Sequence, residues 1–186
     1  MLAYFTASIV GKKYHLEKYQ KIIDLLEERG IEVIAEHILG TTEDQIRLQG
    51  KRERLAFHRQ LEDWINSCDF MIAETSFPSI SVGYEISLAL HRNKPVLILY
   101  SEGDPPSLLD SHESEKIVCE KYTLATLLGI INDFLLYVRG SGDTRFTFFI
   151  GSKQASYLEK IAKKERLPKS AYLRRLIDQD MQRHQT

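Results

Sequence analysis

Between Asp69 and Tyr100 the chain spells out one folding unit almost completely. Phe70-Met71-Ile72-Ala73 is an unbroken apolar run, the mark of a buried strand. Glu74-Thr75-Ser76-Phe77-Pro78-Ser79 follows as a polar turn. Ile80-Ser81-Val82-Gly83-Tyr84-Glu85 then enters a helix that continues to about Leu90. Asn93-Lys94-Pro95 breaks that helix, and Val96-Leu97-Ile98-Leu99-Tyr100 is the next strand. Strand, loop, helix, strand is the building block of a parallel sheet. Ligands of such sheets sit beyond the carboxyl ends of the strands, so Ser76–Ser81 and the first helical turn form the mouth of a site. Free amides at a helix start favour an anion, and the hydroxyls of Ser79 and Ser81 add donors. Glu85 is then either a nucleophile or acid/base group at that mouth, or a glutamate that complements the helix dipole.

The flanking sequence extends the same pattern. Leu2–Thr6 reads as a first strand and Ser8–Lys13 as a loop. Tyr14–Arg29 is a helix, with Leu16, Tyr19, Ile22, Ile23 and Leu26 at helical spacing and Gly30 as its stop. Ile31–Ala35 is a second strand, Glu36–Gly50 a long polar loop, and Arg52–Ser67 a helix carrying Leu55, His58, Leu61, Trp64 and Ile65. Ser101–Glu113 is loop, Lys116–Cys119 a fifth strand and Thr123–Val138 a helix. This predicts a five-stranded doubly wound α/β domain of the flavodoxin or Rossmann type over 1–138, with a parallel sheet. His37 follows a strand directly and is a candidate ligand contact. Trp64 reads as a core anchor.

The 186 residues, 43% of them apolar, suit one domain with a small appendage. The net charge of −1 is unevenly spread. Residues 143–186 carry ten Lys/Arg against five Asp/Glu, and the first 142 carry fifteen against twenty-one. A basic tail on an acidic body points to two modules. Cys68 and Cys119 sit at apolar positions without metal spacing, which predicts two buried thiols in a reducing cytoplasm. No apolar run reaches the ~18 residues of a membrane span, and Met1–Phe5 reads as a strand, not a secretion signal.

The run Ala73-Glu74-Thr75-Ser76-Phe77-Pro78-Ser79-Ile80-Ser81-Val82-Gly83-Tyr84-Glu85 resembles the signature of the nucleoside 2-deoxyribosyltransferase family, in its 2'-deoxynucleoside 5'-phosphate N-hydrolase branch. Ala3-Tyr4-Phe5-Thr6-Ala7-Ser8-Ile9 with Gly11 resembles that family's first strand and substrate loop, and Ala35-Glu36-His37 the end of its second strand. The resemblance implies a glutamate nucleophile at Glu85 supported by Tyr4. It implies contacts to the 5'-phosphate from Ser8 and Ser79, with Ile9, Gly11, Ser81 and Gly83 lining the substrate loops and His37 near the base. It implies a deoxynucleoside or deoxynucleoside 5'-monophosphate as substrate, with no cofactor and no metal, and a tendency to pair. Hydrolysis and transfer both remain open. The chain departs from the pattern at Leu61, where an aspartate is expected, at Val10 and Lys12, which replace an arginine and a glycine, and at Ser81, which replaces a glycine.

Beyond a linker at 139–144 the tail reads as a strand, Arg145–Ile150, and two helices, Ser152–Arg166 and Lys169 or Ser170 to about Gln182. One strand and two short helices cannot bury a core alone. The pattern resembles a ribbon-helix-helix unit, which pairs through its strand and lays the ribbon in the DNA major groove. That resemblance implies a homo-oligomer, and Arg145 and Thr147 as outward residues suited to DNA. Dimerisation alone and DNA binding remain open, so a nucleotide-sensing, DNA-binding regulator stands as the alternative to an enzyme.

Overall fold

The computed structural model describes residues 1–48, 50–103, 116–140, 150–165 and 169–184. They divide into two compact units, the first ending at 145 and the second beginning at 146. The first unit runs β1 (Leu2–Ala7), α1 (Lys12–Glu27), β2 (Glu32–Ile34), α2 (Glu36–Leu39), α3 (Glu43–Leu48), α4 (Lys51–Ser67), β3 (Phe70–Glu74), α5 (Ile80–His91), β4 (Val96–Tyr100), β5 (Ile117–Lys121) and α6 (Leu127–Val138). The five strands form one parallel sheet in the order β2-β1-β3-β4-β5. The expected Rossmann-like α/β architecture is the one observed.

Alternation along β1 explains the two cores. Ala3, Phe5 and Ala7 point into a cluster with Tyr19, Ile22 and Leu26 of α1 and Ile131 and Phe134 of α6. Tyr4 points to the opposite face, among Met71, Ala73, Leu61 and Ile65 of α4, and Val82 and Ile86 of α5. Burying a side chain such as Ile65 contributes about 1.5–3 kcal/mol. The chain reverses its direction across the sheet between β1 and β3. That boundary is the switch point where doubly wound sheets open a crevice at their carboxyl ends. Register sets Tyr4 beside Met71, Thr6 beside Ala73 and Ala7 beside Glu74, so the last residues of both strands end at that crevice.

Four expectations need correction. The polar stretch 36–50 is not one loop, because two short helices, α2 and α3, occupy it. Each spans fewer than two turns, too few for an apolar period to show. Glu74 is not part of the turn. It ends β3 at 0% exposure, paired in register with both neighbouring strands. The helix predicted from Thr123 starts at Leu127, after a turn closed by bonds between Thr123 and Thr126. Cys119 is only half-buried, since β5 is the edge of the sheet, whereas Cys68 is buried and its thiol is pushed up to about 11 by desolvation.

The second unit holds two helices, α7 (Ser152–Glu165) and α8 (Lys169–His184). Leu158, Ala162 and Tyr172 are its buried apolar residues among those described. Ile150, Tyr157, Leu158, Tyr172, Leu173 and Leu176 line an apolar groove between the helices. The predicted strand Arg145–Ile150, with Arg145 and Thr147, lies outside the described residues except for Ile150. Among the described residues no helix is long and apolar enough to cross a membrane.

Candidate active site

Ser79 starts α5, its Oγ accepting from the amide of Val82 at 3.4 Å. Helical spacing then puts Val82, Glu85, Ile86 and Ala89 on one buried face. Glu85 is the one carboxylate in that apolar series. It is 6% exposed, and the Tyr4 hydroxyl donates to its Oε2 at 3.0 Å. Residues 81 positions apart are thus joined because Tyr4 of β1 and the buried side of α5 share one face of the sheet. Desolvation raises the Glu85 pKa, and the hydrogen bond from Tyr4 and the nearby Thr6 hydroxyl oppose that rise. Thr6 Oγ1 is buried and makes no hydrogen bond of ordinary geometry, so its influence is that of a dipole close to the carboxylate. The Tyr4 hydroxyl is pushed far up by burial first and by Glu85 second, so it stays a proton donor.

The other face of Tyr4 meets an aromatic pocket. The His37 ring stacks on Tyr4 with centroids 4.9 Å apart and planes 18° from parallel. Trp64 lies 5.1 Å from His37, and Phe57 6.4 Å from it. His37 is buried, and burial lowers its pKa to about 4 against a smaller opposite effect of Glu36. It is therefore neutral at pH 7. Neither ring nitrogen has a hydrogen-bond partner among the described residues. A buried neutral imidazole with both nitrogens unsatisfied suits a ligand that carries donors and acceptors on a flat ring. Trp64 packs against the core and also walls this pocket.

The remaining predicted residues fall at the loops beyond β1 and β3. Ser8 is buried, and its Oγ accepts from the Gly11 amide at 3.1 Å, which leaves the hydroxyl proton free to donate elsewhere. A Cβ on Gly11 would lie 2.5 Å from Cβ of Phe77, so only glycine lets the 8–11 loop meet the 75–79 loop this closely. Ile9 packs its side chain into the core on the α1 side of the sheet. Ser81 is exposed and shares the face of Glu85 one turn earlier. Gly83 lies about 200° around the helix from Glu85, and its amide is used by Ser79 O at 3.2 Å, so it is not brought to the carboxylate. Among the described residues no group of three or more His, Cys, Asp or Glu could hold a metal ion.

Some residues fill roles that sequence reading did not assign. Glu74 Oε1 accepts from Tyr122 at 3.2 Å and bonds Ser76, on the face of the sheet away from Glu85. Burial raises the Glu74 pKa. An acidic residue directly continuing a buried apolar run was its available signal. Lys12 binds the backbone at the end of α2. His58 is exposed and pairs with the Tyr84 hydroxyl at 2.8 Å, which makes it a link between α4 and α5. Leu61 is 5% exposed in the apolar cluster that contains Tyr4.

A buried tyrosine–carboxylate pair at the switch point, beside a stack of aromatic rings and two hydroxyl-bearing loops, marks a Rossmann-like protein with its candidate site at the carboxyl ends of the strands. Residues 3–126 match the family model described as nucleoside 2-deoxyribosyltransferase. The chain belongs to that family and is an enzyme of its kind. It is 33% identical over 137 residues to a putative 2'-deoxynucleoside 5'-phosphate N-hydrolase 1 of Syntrophotalea carbinolica, covering 73% of this chain and 94% of the relative. A 5-hydroxymethyl-dUMP N-hydrolase of Rattus norvegicus is 30% identical over 97 residues, which is 52% of this chain and 59% of that one. A CMP N-glycosidase of Clostridium botulinum shares the fold, with a TM-score of 0.54, 19% identity, and coverage of 72% of this chain and 99% of that structure.

Proposed function

We propose that this chain cleaves the N-glycosidic bond of a 2'-deoxynucleoside 5'-monophosphate, with Glu85 as nucleophile. The observation that carries the reading is the buried hydrogen bond from Tyr4 to Glu85 Oε2, 3.0 Å long. Cleavage leaves positive charge on the sugar, and a fixed carboxylate traps or stabilises it. Attack through the free oxygen of Glu85 would form a glycosyl ester as the base departs, and water, or a second base in a transferase, would then take the sugar. Tyr4 keeps the carboxylate in one orientation and, with Thr6, opposes the rise in its pKa that burial causes.

The names of the relatives support a 5'-monophosphate. So does the chemistry of the loops: Ser8 follows β1 and Ser79 opens α5, and each hydroxyl, accepting from an amide through its oxygen, keeps a proton that could be donated to an anion. His37, Tyr4 and Trp64 would receive the base. Incubation with a panel of deoxynucleotides and deoxynucleosides, with free base followed by chromatography, tests both points. Base release faster from monophosphates is expected. Equal rates and equal calorimetric affinities would remove the phosphate site, and no release from any substrate would remove the reaction.

A second reading concerns the C-terminal unit, which lies outside the residues matched to the family. We propose that it joins two copies of the chain. Tyr157, Ile177 and Met181 remain 61%, 60% and 54% exposed on two helices that bury few apolar residues of their own. A unit this small gains a core by pairing.

A further inference from the structure

Lys12 is one of the positions where the chain departs from the family pattern, and its side chain has an unusual engagement. Its Nζ donates to three backbone carbonyls, Ile38 O at 2.9 Å, Leu39 O at 2.9 Å and Thr41 O at 2.6 Å. These oxygens lie at the carboxyl end of α2, where helix carbonyls lack partners within the helix. An ammonium has three donors, and here all three converge on three acceptors, which a planar guanidinium would not match.

α2 needs such an anchor. It has four residues, and its start at Ala35 has no side-chain cap. It carries His37, whose nitrogens make no bond among the described residues, so stacking and backbone alone hold the ring against Tyr4 and Trp64. At the other end Lys12 opens α1 directly after Gly11, whose amide is tied to Ser8 and which Phe77 packs against. One side chain therefore spans from the loop that begins at Ser8 to the short helix that places His37.

We infer that Lys12 is a positioning residue that couples the anion-binding loop after β1 to the imidazole that faces the base. The inference rests on the proposed nucleotide reading for what occupies the two ends, and on the geometry alone for the link between them. Because coupling is reciprocal, an anion seated against Ser8 steadies His37, and a base stacked at His37 steadies the loop. The phosphate and the base of one substrate then favour each other's binding through Lys12.

The single tryptophan of the chain, Trp64, stands 5.1 Å from His37 and reports on it directly. The groups that face His37 are Tyr4 from β1, Phe57 and Trp64 from α4, Glu36 from its own helix, and Glu85 behind Tyr4. Trp64 itself makes its ring contacts with His37 and Phe57. Trp64 emission followed against pH in the intact protein should show a His37 midpoint near 4. In Lys12→Met that midpoint should move up toward the ordinary histidine range, as α2 loosens and the ring gains solvent. Lys12→Arg should move it in the same direction by less. KM for a deoxynucleoside 5'-monophosphate should rise on the order of tenfold in Lys12→Met, and the monophosphate's advantage over the nucleoside should shrink with it. A midpoint unchanged from wild type in a folded Lys12→Met overturns the inference. If Lys12→Met fails to fold by circular dichroism, Lys12→Arg carries the same test, and an unchanged midpoint there overturns it equally. Absence of base release by wild type would instead strike the functional reading and leave the emission result standing.

Discussion

At the scale of single residues, the proposed chemistry rests on the Tyr4–Glu85 bond. Burial alone would push a glutamate toward its neutral form, which cannot attack a sugar. The Tyr4 hydroxyl opposes this by donating to the carboxylate. Tyr4→Phe removes the donor and leaves the burial, so the Glu85 pKa rises further. The acidic limb of kcat/KM, where activity falls as Glu85 gains a proton, should therefore shift to higher pH. The rate on the plateau should fall about tenfold to a hundredfold, matching the ~1.5–3 kcal/mol of a hydrogen bond to a charged group. A pH–rate profile of the two proteins checks this, and an unmoved limb would mean that Glu85 is not the group being titrated. Leu61 poses the converse case. Leu61→Asp puts a carboxylate into the apolar cluster around Tyr4, so chemical denaturation should register a loss on the order of 3 kcal/mol. Base release should nevertheless rise, if the missing aspartate limits the rate. No rise in the folded variant would show that the site works without it.

At the scale of elements, the site depends on how two loops fit together. Gly11→Ala places a methyl 2.5 Å from Phe77 Cβ, closer than real Cβ atoms approach, so one of the two loops must shift. Overpacking there should cost about 1–3 kcal/mol in Tm or denaturant midpoint and weaken affinity for monophosphates more than for nucleosides. Nucleotide affinity unchanged in a destabilised protein would separate that loop from the ligand. The sheet and its main helices were legible in sequence because strands such as Val96–Tyr100 are unbroken apolar runs and α1 and α4 are long enough to repeat a period. The pairing of Tyr4 with Glu85 was legible only through family resemblance, since nothing local links residues 81 apart. α2 was not legible at all. Four residues cannot display a helical period, and the lysine that secures its end lies 26 to 29 positions earlier in the chain. Glu74 was misread for a related reason, because a charged residue after an apolar run looks like a turn until register pairs it on both sides.

At the scale of the whole molecule, the family accounts for residues 3–126 and the C-terminal helices are an addition to it. Their exposed apolar residues lead to an expectation about assembly. Ending the chain after Gly140 should lower the mass measured by light scattering to that of a smaller oligomer, with the catalytic unit still folded. An unchanged number of copies would remove these helices from assembly. The basic balance of the tail adds a companion measurement. If a full-length protein shifts DNA at low salt and releases it steeply as salt rises, Arg145 and Thr147 gain a role beyond pairing. If no DNA is shifted, pairing is left as the role proposed for the tail.

The central claim is that Glu85 attacks the sugar, and Glu85→Gln tests it most directly. The substitution keeps the size of the side chain and its acceptor for Tyr4 but removes the nucleophile. With a deoxynucleoside 5'-monophosphate as substrate and free base measured by chromatography, release should fall by ~10³-fold or more, while circular dichroism and nucleotide binding by calorimetry stay as in wild type. A Glu85→Gln protein that binds the nucleotide and still releases base at a rate near wild type would contradict the account.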